Sequence, residues 1–142
     1  MIEPIVPPPP VQERIHGAMP VRSVPREADA SLIYGMSVVG EGGRVTARAV
    51  LDTLGWQPGT RLSLSCPDDQ LILLRPAADG SITVTAGGYL RVPVRTRRRV
   101  GLSYGDLVLV MAHRRCGGVL IHPPAALDGL LASSRRLLEV VP

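Results

Sequence analysis

The sequence predicts a mainly β fold built from two consecutive β-β-α-β-β repeats followed by a C-terminal helix. Three observations carry this. The same order of glycine punctuation occurs twice: a Gly-Gly turn, an apolar stretch, then Gly-x3-Gly. Apolar residues make up 45% of the 142, yet aromatics only 3%, with no Phe. A core of Val, Leu and Ile suits pleated strands. The segments after each Gly-x3-Gly are four to six residues of largely apolar character bounded by turn formers, as in Arg61-Leu62-Ser63-Leu64-Ser65-Cys66 and Leu107-Val108-Leu109-Val110-Met111, which is strand length.

In chain order, residues 1–32 hold half of the prolines, including Pro7 to Pro10, without periodicity. Such a segment is expected to be a polyproline-prone, disordered arm. Its functional reading is a docking peptide for a proline-recognising protein; the plainer reading is a passive tail. Repeat 1 spans 36–76. Its first strand ends at Gly42-Gly43, a pair that permits a tight hairpin, and Gly55 stops a short helix that ends at Leu54. Strands Arg61–Cys66 and Gln70–Arg75 flank the turn Pro67-Asp68-Asp69. Repeat 2 spans 81–123 and repeats the plan through Gly87-Gly88, a helix that Pro93 begins and Gly101 ends, and strands on either side of Arg114 to Gly118. It carries one residue more between its anchors. Helices of about seven residues do not hold alone, so each repeat needs the other. After Pro123-Pro124, Leu127, Leu130, Leu131, Leu138 and Val141 predict one helix over 124–141, which either covers the barrel or pairs with another chain, cover being the commoner use of such a stripe.

Charge narrows the function. The net charge is +4 with a pI near 9.8, and all 16 basic residues are Arg. A basic chain favours polyanions. Arg offers a flat fork for phosphate and guanine, although the bias of a GC-rich genome is the first explanation for the missing Lys. Five arginines, Arg91, Arg95, Arg97, Arg98 and Arg99, lie between Gly88 and Gly101 without an intervening acid.

Gly88-Tyr89-Leu90-Arg91-Val92-Pro93-Val94-Arg95-Thr96-Arg97-Arg98-Arg99-Val100-Gly101-Leu102, followed by Gly105-Asp106 and a hairpin, resembles the AbrB/MazE/SpoVT swapped-hairpin family. Repeat 1 is similar through Gly43-Arg44-Val45, Leu54-Gly55-Trp56 and Gly59-Thr60-Arg61-Leu62. The likeness covers residues 36–123. It implies a tandem swapped-hairpin β-barrel, either a pseudo-dimer within one chain or swapped domains in a homodimer. It further implies a transcriptional regulator that contacts duplex DNA, for which Arg44, Arg48, Arg91, Arg95, Arg97, Arg98 and Arg99 are the candidate residues, although Arg48, Arg91 and Arg95 lie nearby and match no fixed family position. Arg44 matches the arginine after the turn glycine, and Arg97 with Arg98 matches the pair on the short helix; neutralising that pair is expected to weaken binding severely. Repeat 1 has Leu51 and Asp52 at the helix positions and lacks the family proline. Its part in DNA contact is therefore the weaker one.

Other chemistries find less support. His113, Cys116 and His122 lack the paired spacing of a zinc site, and Asp68 with Asp69 reads as a turn. The glycines near Gly40 follow a strand without the βαβ unit of a dinucleotide site. No nucleophile has a base at a recognisable spacing, so neither an enzyme nor a cofactor is expected. Cys66 and Cys116 form no CxxC, no stretch reaches the roughly 20 apolar residues of a membrane span, and the start of the chain does not read as a signal peptide. The expectation is a cytoplasmic, nucleoid-associated protein that forms a homodimer or larger homo-oligomer. An antitoxin-like or oligomeric protein-interaction module on the same barrel is the alternative.

Overall fold

Strand pairing between the two halves of the chain dominates the computed structural model, which describes residues 29–140. Most of the proline-rich arm, residues 1–28, and Val141 at the end of the expected C-terminal helix lie outside the described residues. The first half supplies β1 (Leu32–Val38), β2 (Arg44–Val45), α1 (Arg48–Leu54), β3 (Arg61–Ser65) and β4 (Ile72–Pro76). The second supplies β5 (Ile82–Thr83), β6 (Leu90–Arg91), α2 (Val94–Val100), β7 (Leu107–His113) and β8 (Val119–His122). Two helices follow, α3 (Pro124–Leu130) and α4 (Ala132–Glu139).

Six strands form one antiparallel sheet in the order β1-β7-β8-β4-β3-β5, and β2 pairs with β6 in a separate ribbon. Among the described strands, only β3–β4 and β7–β8 are hairpins within a half. The first strand of each half leaves its own half: β1 pairs with β7 and β5 with β3. β4 and β8 join the halves at the centre of the sheet.

One sheet face builds the core. Leu62, Ile72, Leu74, Val108, Val110, Val119 and Ile121 are completely buried, as are Val45 and Leu90 of the ribbon. Val50 and Leu51 of α1 and Val100 of α2 join them in a single cluster. The other face is partly covered by α3, which packs on β7 and β8.

Local rules explain the short elements. Both helices end on glycine in the left-handed region, Gly55 at φ 73° and Gly101 at φ 70°, where a side chain would clash with the following carbonyl. Pro67–Asp69 forms a 3-10 turn in which Asp68 and Asp69 have positive φ, 54° and 55°. Asp tolerates that conformation better than most residues.

Three expectations need correction. The sheet does not close into a barrel: β1 and β5 remain its two edges. β5 has only two residues and its ladder with β3 is correspondingly short, so it cannot reach round to β1. The first strand begins at Leu32 rather than near residue 36, because the register with β7 continues to the pair Leu32 and His113. The C-terminal helix is two helices, broken at Leu131 (φ −97°, ψ 15°). Gly129 and Ser133-Ser134 around that point are weak helix formers. Of the expected stripe, Leu127 is half-buried, while Leu130, Leu131 and Leu138 are exposed.

Gly43 and Gly55 separate two uses of glycine. A methyl group at Gly55 meets open space, whereas at Gly43 (φ +79°) it would run into the Val92 carbonyl and the Arg97 side chain. Gly55→Ala is expected to cost about 1–2 kcal/mol, from backbone strain alone. Gly43→Ala should cost about 1–3 kcal/mol more, through the clash. Urea denaturation of the two variants checks the difference.

Candidate nucleic-acid interface

The ribbon of β2 and β6 is short because its two apolar residues, Val45 and Leu90, are opposite each other and fully buried, and they anchor it to the core. With period two, their neighbours must point outward. Arg44 is directly opposite Arg91, and both side chains are exposed. Like charges directly opposite destabilise a strand pair.

What holds this pair is Tyr89. Its ring lies 5.3 Å from the guanidinium carbon of Arg44 and 5.3 Å from that of Arg91, so each cation faces the negative side of a π system. Arg91 also donates to the Tyr89 hydroxyl at 3.2 Å and to the Glu41 carbonyl at 3.2 Å. That hydrogen bond, reinforced by the Arg91 charge, holds the Tyr89 phenol below its ordinary pKa.

Each helix touches the turn that enters the other half's ribbon strand. Arg48, the first residue of α1, donates to the Gly87 carbonyl at 3.4 Å. α2 packs against the turn Glu41–Gly43 that leads into β2. The link there is Arg97, half-buried, whose Nε donates to the Val92 carbonyl at 2.9 Å. Val92 in turn donates its N–H to the Gly43 carbonyl at 2.9 Å.

The seven arginines expected at the interface therefore fall into different roles. Arg44 and Arg91 come together on the ribbon, and Arg48 braces its flank. Arg95 and Arg98 are three apart on the exposed face of α2, with no hydrogen-bonded partner among the described residues. Arg97 serves the fold at least through its Nε. Arg99 leaves the group, forming an ion pair with Asp69 in the 3-10 turn of the first half; that hydrogen bond stabilises its charged form. Among the described residues, Arg99 and Arg135 alone form ion pairs with a carboxylate. The sequence reading did not select Tyr89 as a site residue. Its signal was its place directly after Gly88, where repeat 1 has Arg44 after Gly43.

The residues considered for metal binding do not converge. His113 accepts the N–H groups of Arg115 and Cys116 on Nδ1 within its turn. His122 is buried on β8 with Nδ1 3.1 Å from the Leu109 carbonyl. No group of three His, Cys, Asp or Glu that could hold a metal ion occurs among the described residues. Nor, among them, is any helix long and apolar enough to cross a membrane.

No family model, curated protein or solved structure matches the chain.

Two outcomes follow from these contacts. Arg97→Ala should lower stability by about 1–3 kcal/mol because it leaves the Val92 carbonyl without its donor, whereas Arg98→Ala should be close to neutral; thermal unfolding separates them. Replacing Arg91 by Gln should raise the Tyr89 phenol pKa towards its ordinary value, because the cation that favours the phenolate is gone. An ultraviolet titration of the phenolate, compared between parent and variant, reads the shift.

Proposed function

We propose that this chain is a DNA-binding transcriptional regulator of the AbrB type, acting as a pseudo-dimer in which the two repeats occupy equivalent places. The observation that carries the reading is the ribbon: Arg44 and Arg91 are held opposite each other, exposed, with no carboxylate partner among the described residues. A fold gains nothing from opposed like charges, and a polyanion relieves them. A two-stranded ribbon also fits the major groove of duplex DNA.

The strand order supports the pseudo-dimer. Exchanging each strand of one half for its counterpart in the other turns β1-β7-β8-β4-β3-β5 into its own reverse. The resemblance of residues 36–123 to the swapped-hairpin family supports the same arrangement, although the sheet here is open. Arg95 and Arg98 extend the cationic surface along α2, so most of the charge comes from the second half. Phosphate contacts supply affinity in such an interface and the ribbon supplies any reading of bases. No enzymatic activity is proposed: among the described residues the one hydroxyl bonded to a carboxylate is Ser31, paired with Asp29 two residues away. Residence on the bacterial chromosome in the cytoplasm belongs to the same proposal.

The exposed apolar side chains of α4 and the residues beside it, Leu131, Leu137, Leu138 and Val140, favour a second reading, an antitoxin-like module that binds a protein partner there.

Fluorescence anisotropy with GC-rich duplex DNA over a series of salt concentrations decides the first reading. The double variant Arg44→Ala, Arg91→Ala should bind more weakly, with a log–log salt slope reduced by about two. The variant should still fold, with a modestly lower melting temperature, because both contacts with the Tyr89 ring and the Arg91 bond to the Glu41 carbonyl are lost along with the like-charge repulsion. Unchanged affinity and slope overturn the DNA reading and leave the protein-interaction module.

A further inference from the structure

Strand β1 is an edge of the six-stranded sheet, and its seven residues, Leu-Ile-Tyr-Gly-Met-Ser-Val, contain no charge and no proline. Its register with β7 runs without a bulge from Leu32 opposite His113 to Val38 opposite Leu107. Proteins normally blunt a sheet edge by making it short or by placing a charge, a proline or a bulge on it. The opposite edge obeys that rule, since β5 has two residues.

The backbone at this edge is available in a definite phase. Arg114 donates to the Ser31 carbonyl at 2.8 Å, and Val39 donates to the Asp106 carbonyl at 2.8 Å. Odd-numbered residues thus turn their backbone groups to β7. By the alternation of an antiparallel ladder, the N–H and C=O groups of Tyr34, Met36 and Val38 point to the open side. No strand among the described residues pairs with them there. These residues also expose 56%, 52% and 59% of their surface, with Leu107 exposed opposite Val38. Among the described residues, the edge is therefore apolar in its side chains as well as unpaired in its backbone.

We infer that β1 pairs antiparallel with β1 of a second copy of this chain about a two-fold axis at Gly35, joining two sheets into one of twelve strands. A two-fold at Gly35 places Tyr34 opposite Met36 of the partner subunit and Leu32 opposite Val38 of the partner subunit, so even-numbered residues meet even-numbered residues. Of these, Tyr34, Met36 and Val38 turn backbone groups to the open side with no strand on them among the described residues, while the Leu32 N–H donates to the Asp29 carbonyl at 3.1 Å and leaves its C=O for the partner. Gly35 itself falls in the close, non-hydrogen-bonded pair, where strands approach to about 4.5 Å between Cα atoms, and it brings no side chain to that point. The row Leu73, Leu120, Met111 and Tyr34 on the outer face then continues into Met36 of the partner subunit. Charge selects the same place. Two copies of a chain with a net charge of +4 repel each other, and β1 offers seven residues without a charge. This dimer is independent of DNA binding.

Sedimentation velocity of the full chain, with amide hydrogen exchange, tests the inference. The expected species is a dimer of twice 15.1 kDa. The amides of Tyr34, Met36 and Val38 should become protected as concentration rises. The double variant Tyr34→Lys, Met36→Lys sets lysine opposite lysine twice across the axis and should weaken dimerisation about tenfold or more. At concentrations low enough for the parent to be monomeric, the variant's melting curve should match the parent's because both side chains are exposed. Met36→Pro, which removes an N–H from the open side only, should act in the same direction. A parent chain that stays monomeric at all concentrations overturns the inference, as does a dimer that survives in both variants. Protection of the three amides in a monomer also overturns it, because it would put a segment of the same chain on the edge.

Discussion

Neither half of this chain contains the neighbours that its own strands require. Among the described residues, β1 finds its only partner in the second half, β5 finds its own in the first, and the ribbon takes one strand from each. The isolated hairpins β3–β4 and β7–β8 would be marginal in water. Helices of seven residues would be worse. Among the completely buried residues are Val45 and Leu90, where the ribbon strands meet, and Ile72, Leu74, Val119 and Ile121, where β4 and β8 join the halves. The glycines, caps and turns are local devices that deliver each strand to a partner far away in sequence.

The same interlocking sets the cationic surface. Burying Val45 and Leu90 forces Arg44 and Arg91 outward on one ribbon, whatever that costs in repulsion, and Tyr89 moderates the cost by offering its ring to both. The remaining arginines are sorted by what lies within reach. Arg97 finds a backbone carbonyl and becomes part of the joint between α2 and the first half's turn. Arg99 finds Asp69. Arg95 and Arg98 find neither, and remain as free charge on the helix surface. A run of five arginines in sequence is thus a mixture of structural and available cations.

Much of the local architecture was legible in the sequence. Gly55 and Gly101 marked the helix ends, because a left-handed cap leaves a glycine where the periodic residues stop. Pro67-Asp68-Asp69 announced its turn. What could not be read depended on distant register. The extension of β1 back to Leu32 follows from its alignment with His113, and the open sheet follows from the shortness of β5, which local spacing does not reveal. The break at Leu131 escaped the apolar stripe because periodicity counts leucines and gives little weight to Gly129. The structural use of Arg97 was invisible for a related reason: spacing predicts a helix face but not which carbonyl lies beneath it. Arg98, next to it in sequence and equal in chemistry, differs only in where it points.

The pairing of β1 with β7 also fixes an order of events during synthesis. Leu32 leaves the ribosome long before His113, its partner in the ladder. Until β7 has emerged, β1 is an apolar strand with both of its edges open. The β3–β4 hairpin can form first because its register is local, but it lacks the β8 strand that flanks it in the sheet. Contacts of such long sequence separation fold slowly, and an unpaired apolar strand is a hazard for as long as it waits. The nascent first half is therefore the most vulnerable form of this protein, and its exposure lasts until residue 113 has left the ribosome.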